Sequence, residues 1–400
     1  MIQTPTISPD VLGTAEGIAN PYPAYRALRD SSPVRYLRLP AGAATGLTES
    51  LYGHALLRHA DVVTALRDPA TFSSRSYLLF KGIPQMALLH DDPPHHTRLR
   101  RLASKAFTAS RVAALAPWIT DLARSLLDAA GHGEVEIMDR FAVALPVRVI
   151  ASMLGVPAAD HAALKDWSDA LISYNGMPAA ERGPKMAQMM AYVDRMVAAR
   201  RAERTDDMIS AFLDAEVDGE LLDDVQVRRL VVVLLVAGNE TTTNLIGNML
   251  ALLADRPELW KRARDNRSLV ESIVNEALRF ESPVQRFPRV TTRAVEIGGV
   301  EIAAGELVDI FFGAALRDPA VFDDADTFLP ERRHSESVAF GMGIHHCLGA
   351  PLARLEATIA LNQMLDRVPE LGRGSRPAER QGVAQVSLGY RSLHLTLGRG

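Results

Sequence analysis

Apolar residues recur at helical spacing over most of this chain, and that periodicity limits the fold more tightly than composition does. Helical patterns run over Ala24 to Arg29, His96 to Phe107, Ala113 to Ala130, Asp160 to Tyr174, Lys185 to Arg201, Leu222 to Leu253, Leu269 to Phe280 and Pro351 to Val368. Strand-like pieces are short. Val34 to Leu37 and Ser50 to Leu57 form one candidate pair, Val295 to Ile302 reads as two strands around Gly298-Gly299, and Glu306 to Phe312 follows. The expected fold is mainly α with minor β (α+β), with small sheets at its periphery. The 400-residue length alone suggests two or three domains. No repeat or low-complexity linker divides the chain, however, and the loop-like stretches Asn175 to Pro184 and Pro369 to Gly382 are short. A single interwoven domain spanning residues 1–400 is therefore expected.

Charge and cysteine usage exclude several function classes. The net charge of -4 gives no basic footprint for nucleic acid. A single Cys forbids an intrachain disulfide and suits a reducing cytoplasm. Met1 to Asp10 is polar with two prolines, unlike a signal peptide. The longest strongly apolar run, Leu230 to Ala237, is far shorter than the roughly 20 residues that span a bilayer. The expectation is a cytoplasmic protein that binds neither membrane nor nucleic acid.

The lone cysteine sits in an unusual frame. Residues 340–354 read Phe-Gly-Met-Gly-Ile-His-His-Cys-Leu-Gly-Ala-Pro-Leu-Ala-Arg. Glycines on both sides allow positive φ and close approach to a flat object, and a helix starting at about Pro351 favours a thiolate at Cys347. By residue type alone Cys347 could equally be a buried small hydrophobe, or a nucleophile with His345 or His346 as base. Upstream, Leu234-Leu-Val-Ala-Gly-Asn-Glu-Thr-Thr-Thr243 lies inside the long apolar helix. A mid-helix Gly and three Thr weaken that helix, and the Thr241 hydroxyl can bond back to the Ala237 carbonyl and bend it, opening a turn beside an acid and an alcohol. A buried helix with self-satisfied polar groups is the plainer reading. His96 and Arg100 share a helix face and suit a carboxylate, or else form a solvated basic face. Glu276 and Arg279 read in isolation as a surface ion pair of little weight.

Together these segments resemble the cytochrome P-450 superfamily. Phe340, Gly341, Gly343, His345, Cys347 and Gly349 fall at its haem-binding signature, and the acid and alcohol after Ala237-Gly238 fall at its distal helix. The resemblance runs from Asn20-Pro-Tyr-Pro through Asp68-Pro-Ala-Thr-Phe-Ser to the C-terminal strands, and is thinnest over residues 40–60, 160–200 and the last twenty. It implies haem b bound by the Cys347 thiolate, with Phe340 over the ring near the sulfur and Gly349 and Ala237 also in the cofactor site. His96, Arg100, His345 and Arg289 are implied to serve the haem propionates, Arg289 bidentately. Glu240 is implied as the proton-relay acid and Thr241 as the hydroxyl at oxygen. Glu276, Arg279 and Arg332 are implied as a structural triad that locks the cysteine loop. His95 departs from a commonly acidic position, Leu316 from Asn and Ser337 from His.

The activity implied is a monooxygenase that inserts one atom of O2 into an apolar, sizeable, natural-product-like or lipid-like substrate. Family members that use peroxide tend to lose the acid-alcohol pair, so its presence points to true monooxygenation. The segments that carry specificity in the family bring Tyr77, Leu78, Leu79, Met86, Met177, Met186, Met189, Met190, Val236, Phe287 and Val386 to the expected pocket, an adaptable methionine-rich lining. No Gly-x-Gly-x-x-Gly signature follows a strand, so electrons are expected from a separate ferredoxin and its reductase. Arg98, Arg101, Lys105 and Arg111 are candidates to meet that acidic partner. A haem-thiolate sensor without turnover and a haem-free cysteine hydrolase are the rival classes.

Overall fold

The computed structural model describes residues 14–32, 34–39, 51–79, 85–171, 179–217, 219–381 and 386–398. Met177 and part of each expected substrate segment around residues 80–84, 172–178 and 382–385 lie outside them.

A 31-residue helix, Asp224–Ala254, forms the axis of the molecule. Its start is fixed by a capping box: the Asp223 carboxylate accepts from the Gln226 backbone N–H, and the Gln226 side chain accepts from the Asp223 N–H. From Leu245 to Ala254 every residue is buried, so this stretch is core on all sides. Helices Ala144–Met153, Ala179–Ala202, Leu269–Phe280 and Ala350–Arg367 pack around it. The helix is long and apolar enough to cross a membrane, unlike the short run Leu230 to Ala237 taken alone, but 72% of its apolar window is packed inside the protein.

The sheets lie at the edge, as expected. The largest has five strands in the order Val34–Leu39, Leu51–Leu56, Leu307–Ile310, Phe287–Thr291, Phe72–Ser73, with Leu307–Ile310 parallel to Leu51–Leu56. The close crossing at that parallel pair needs Gly53, where a Cβ would meet the Leu307 carbonyl oxygen at 2.8 Å. Two loop expectations are corrected. The Ala179–Ala202 helix runs through Pro184, which forfeits one backbone bond in the second turn without ending the helix. Residues 369–382 include strands Leu371–Arg373 and Glu379–Arg380, tied respectively to His394–Leu397 and Tyr390–Ser392.

Glu276 and Arg279 are fully buried, contrary to a surface ion pair. Arg279 donates two bonds to the Glu276 carboxylate at 2.7 and 2.8 Å, and others to the carbonyls of Leu316, Ala325 and Thr327. Glu276 also accepts from the Leu329 N–H, and Arg332 Nε lies 3.5 Å from it. One ion pair thus anchors residues 316–332, the segment that leads into the cysteine loop. Removing one member of a buried pair costs about 3–5 kcal/mol, because the other charge stays buried. Glu276→Ala is expected to lose that much in denaturant unfolding of the purified protein; a loss under about 1 kcal/mol would mean that the pair is not structural.

Candidate functional site

The cysteine loop is a series of tight turns. The Gly341 N–H bonds to the Val338 carbonyl, the His346 N–H to Gly343 and the Cys347 N–H to Phe340. Gly341 and Gly343 take φ of 69° and 68°, and at Gly343 a Cβ would also meet the Leu66 carbonyl at 2.6 Å, so glycine is required there on both counts. Gly349 does not share that role. Its φ is -81°, and it caps the Ala350–Arg367 helix with Pro351 in the first turn.

Cys347 has accessible surface, yet burial pushes its thiol up. The two facts place the sulfur on an internal hollow and not on the outer surface. The N–H groups of Gly349 and Ala350 and the charges of Arg100 and Arg354 oppose the burial. This is the helix-start environment expected for a thiolate ligand. The Arg354 guanidinium sits 4.4 Å from the Phe340 ring centre, which holds that ring beside the loop. The hydrolase arrangement is absent among the described residues: His345 bonds to the Ser74 hydroxyl at 2.9 Å, and neither His345 nor His346 has a hydrogen bond to Cys347.

Four donors gather next to the loop. His96 is buried with both ring nitrogens lacking a partner, and its ring centre lies 4.3 Å from that of His345. Burial first, then Arg289, His96 and Arg100, hold His345 down to about 3. Burial also holds Arg289 down to about 10, and its guanidinium donates only to the neighbouring Pro288 carbonyl. Arg100 donates to the His346 carbonyl at 2.7 Å. Among the described residues no carboxylate pairs with Arg289 or Arg100. Two guanidinium groups with no carboxylate paired to them, beside a buried His96 whose ring nitrogens lack partners, fit a dianionic group in their midst, as the two propionates of haem would be. The residues therefore fit haem: Cys347 for the iron and His96, Arg100, Arg289 and His345 for the carboxylates.

The central helix carries an acid and an alcohol on an accessible stripe. Between Leu230 and Ala254 only Ala237 is exposed, and Leu234, Gly238, Glu240 and Thr241 beside it are half-buried. Spacings of three and four make these one stripe. The Thr241 hydroxyl bonds back to the Ala237 carbonyl at 2.7 Å, as its position predicts. The helix stays continuous from Asp224 to Ala254, so the expected opened turn is not formed. Glu240 accepts a hydrogen bond from Ser387 at 2.7 Å.

The expected substrate segments meet only in part. Strand residues near Val284 and the C-terminal turn are joined: the Gln285 N–H bonds to the Val386 carbonyl, and Val284 bridges Ser387. Met86 and Met190 line a cavity of about 100 Å³ with Gln85, Arg228, Arg229 and Val232. Leu79, Met186 and Phe287 are half-buried, and Val236 is buried on the central helix. Met189 is core, buried against the helices, so it lines no pocket, and Leu78 is 69% exposed. The basic cluster is partly spent: Arg98 pairs with Glu220, and Lys105 bonds to the Glu216 carbonyl.

Sequence reasoning missed several supporting residues. Asp92 accepts from the Ser73 hydroxyl and the Ser74 N–H, which fixes Ser74 against His345. His95, the departure noted above, lies 3.4 Å from Asp91, a carboxylate that also receives Arg229 and Gln85. The pairings of Asp92 with Ser73 and Ser74, of Ser74 with His345 and of Arg229 with Asp91 join residues far apart in the chain, so no local pattern announces them.

A thiol in a glycine-bent loop, a basic cradle and an acid-alcohol pair on the central helix define a haem-thiolate class of site. Comparisons with known proteins agree. The sequence model described as Cytochrome P450 matches residues 161–368. The chain is 39% identical to erythromycin C-12 hydroxylase of Saccharopolyspora erythraea, covering 86% of this chain and 89% of that one. It is likewise 39% identical to mycinamicin IV hydroxylase/epoxidase of Micromonospora griseorubida, covering 88% of each. The structure of CYP109Q5 from Chondromyces apiculatus superposes with a TM-score of 0.87 at 36% identity, covering 97% and 98%. The chain belongs to the cytochrome P450 family. It is a haem-thiolate monooxygenase.

Arg289 tests the cradle. Losing a charge-assisted bond costs about 1.5–3 kcal/mol, so Arg289→Ala is expected to speed haem loss about tenfold or more. Haem transfer to apomyoglobin measures this; an unchanged rate would remove Arg289 from the cofactor site.

Proposed function

We propose that this protein hydroxylates or epoxidises a sizeable apolar substrate, of natural-product or lipid type, in the bacterial cytoplasm. The cofactor is haem b, two electrons come from a ferredoxin-type partner, and residues 1–400 act as one domain. In each turnover one oxygen atom of O2 enters the substrate, and the other leaves as water with two electrons and two protons.

The observation that carries this reading is the accessible stripe Leu234, Ala237, Glu240 and Thr241 in an otherwise buried helix. A helix with no ligand beside it has no reason to leave that stripe open while burying both of its flanks. Bound haem supplies the iron, and thiolate ligation favours O–O cleavage. Cys347 is the proposed ligand, and Phe340 and Gly349 pack beside it. Glu240 holds the proton at its carboxyl group, and the Thr241 oxygen accepts a hydrogen bond on the same stripe of the helix. Because the Thr241 hydrogen is committed to the Ala237 carbonyl, the oxygen lone pairs are left to accept a bond from a proton donor. Glu276, Arg279 and Arg332 serve the loop by position alone.

For the substrate, the two curated relatives above are named for oxidising erythromycin and mycinamicin, both large molecules. Met86, Met186, Val236, Phe287 and Val386 supply apolar, partly adaptable surface of the kind such molecules need. Arg228 pairs with Asp194 and Arg229 with Asp91 at the cavity lined by Met86, so its rim is polar but already compensated. That arrangement favours a neutral ligand over an anionic one.

Thr241→Ala tests the assignment of the oxygen-side residues. The variant is expected to bind haem normally and to divert most reducing equivalents to hydrogen peroxide, read as peroxide released per NADH consumed. Peroxide yield equal to the unaltered protein's would contradict the proposed role.

A further inference from the structure

The C-terminal turn is gripped by a polar seam on the central helix. Glu240, Asn244 and Asn248 are four residues apart and so lie in one line along it. Each meets the C-terminal segment. Ser387 donates to Glu240 at 2.7 Å, Gln381 donates to Asn244 at 3.1 Å, and Asn248 donates to the Leu388 carbonyl at 2.9 Å. Arg380 in turn donates to Asn248 and clasps Glu281 with bonds of 2.9 and 3.0 Å. Asn244 and Asn248 are fully buried. The contact is close enough that a Cβ on Gly389 would stand 1.9 Å from the Asn244 side-chain oxygen.

The other side of the turn is equally fixed. The Gln285 N–H bonds to the Val386 carbonyl at 2.8 Å, and the Leu388 N–H bonds to the Pro283 carbonyl at 2.9 Å. Ser387 therefore stands on backbone held before and after it, and only one side-chain torsion is left to place its hydroxyl. Glu240 has three torsions, and the Ser387 hydroxyl meets its carboxylate at Oε1.

We propose that Ser387 is a positioning residue whose hydroxyl fixes the Glu240 carboxyl group in the one orientation that serves Thr241. Glu240 lies on the same stripe as Thr241, and the bond from Ser387 fixes its carboxylate at Oε1. The inference rests on Glu240 being the proton-relay acid. It adds that the acid is aimed by the same turn that carries Val386, so the substrate-side turn and the proton path share one rigid frame.

The test uses the full-length holoenzyme without substrate, reduced by NADPH through a plant ferredoxin and its reductase, with oxygen consumption followed in H2O and D2O. Glu240→Gln calibrates the loss of the acid. Ser387→Ala is expected to slow oxygen consumption about fivefold, the worth of one ordinary hydrogen bond, and to raise the solvent isotope effect. Ser387→Thr keeps a hydroxyl and is expected to restore both. Crystal structures of the two haem-loaded variants supply a readout independent of turnover: the Glu240 side chain leaves its rotamer in Ser387→Ala and keeps it in Ser387→Thr. If Glu240→Gln slows turnover while Ser387→Ala matches the unaltered enzyme in rate, isotope effect and rotamer, the role of Ser387 is overturned and that of Glu240 stands. If Glu240→Gln itself changes nothing, both are overturned. A Ser387→Ala defect confined to melting temperature, with the isotope effect unmoved, would reduce Ser387 to a structural contact and also overturn the inference.

Discussion

The sulfur of Cys347 facing the N–H groups of Gly349 and Ala350 is the contact on which the rest of the molecule depends. Burial works against charge on that sulfur, and a metal ion is what makes a buried thiolate worth keeping. The surroundings follow the same logic on a larger scale. His96, Arg100, Arg289 and His345 crowd together, and among the described residues no carboxylate forms an ion pair with either guanidinium, which is costly for a protein alone and favourable around a dianion. The sulfur and the cradle are two halves of one demand, for a flat, metal-bearing, doubly acidic cofactor.

Holding that demand in place falls to parts of the fold that do no chemistry. The cysteine loop turns through Gly341 and Gly343, pressed against the Leu66 carbonyl, and starts the Ala350–Arg367 helix. Its approach is clamped by the buried Arg279, which takes three backbone carbonyls as well as the Glu276 carboxylate. The central helix plays both parts. Leu245 to Ala254 is core on all sides, whereas one turn around Ala237 is open. A continuous helix with one accessible stripe achieves what an opened turn had been expected to do, and Thr241 still bonds back to Ala237.

Much of this was legible in the chain because its signals are local. The periodicity located the eight longest helical patterns, and the spacing of Thr241 from Ala237 anticipated a bond that exists. Shorter elements were missed for physical reasons. Ala144–Met153 is apolar on nearly every side and contains Pro146, so it shows no clean helical stripe. Phe287–Thr291 is a strand with a proline in it, permitted because Phe72–Ser73 pairs only with Val290 and Thr291, which leaves Pro288 at an edge with Leu307–Ile310 as its one strand neighbour. Burial of Glu276 and Arg279 could not be read from their spacing, which is that of any exposed helix pair. Ser74, Asp92 and Ser387 were silent because their importance lies wholly in partners distant in sequence. Met189 shows the converse error: an apolar residue in the right segment need not face the pocket.

The most direct measurement is the absorption spectrum of the purified protein after dithionite reduction under carbon monoxide. A haem held by the Cys347 thiolate gives the long-wavelength Soret band characteristic of sulfur ligation, and Cys347→His moves the band to the shorter wavelength of imidazole-ligated haem. A protein that carries no haem when supplied with it, or whose band is unchanged by Cys347→His, would contradict the account.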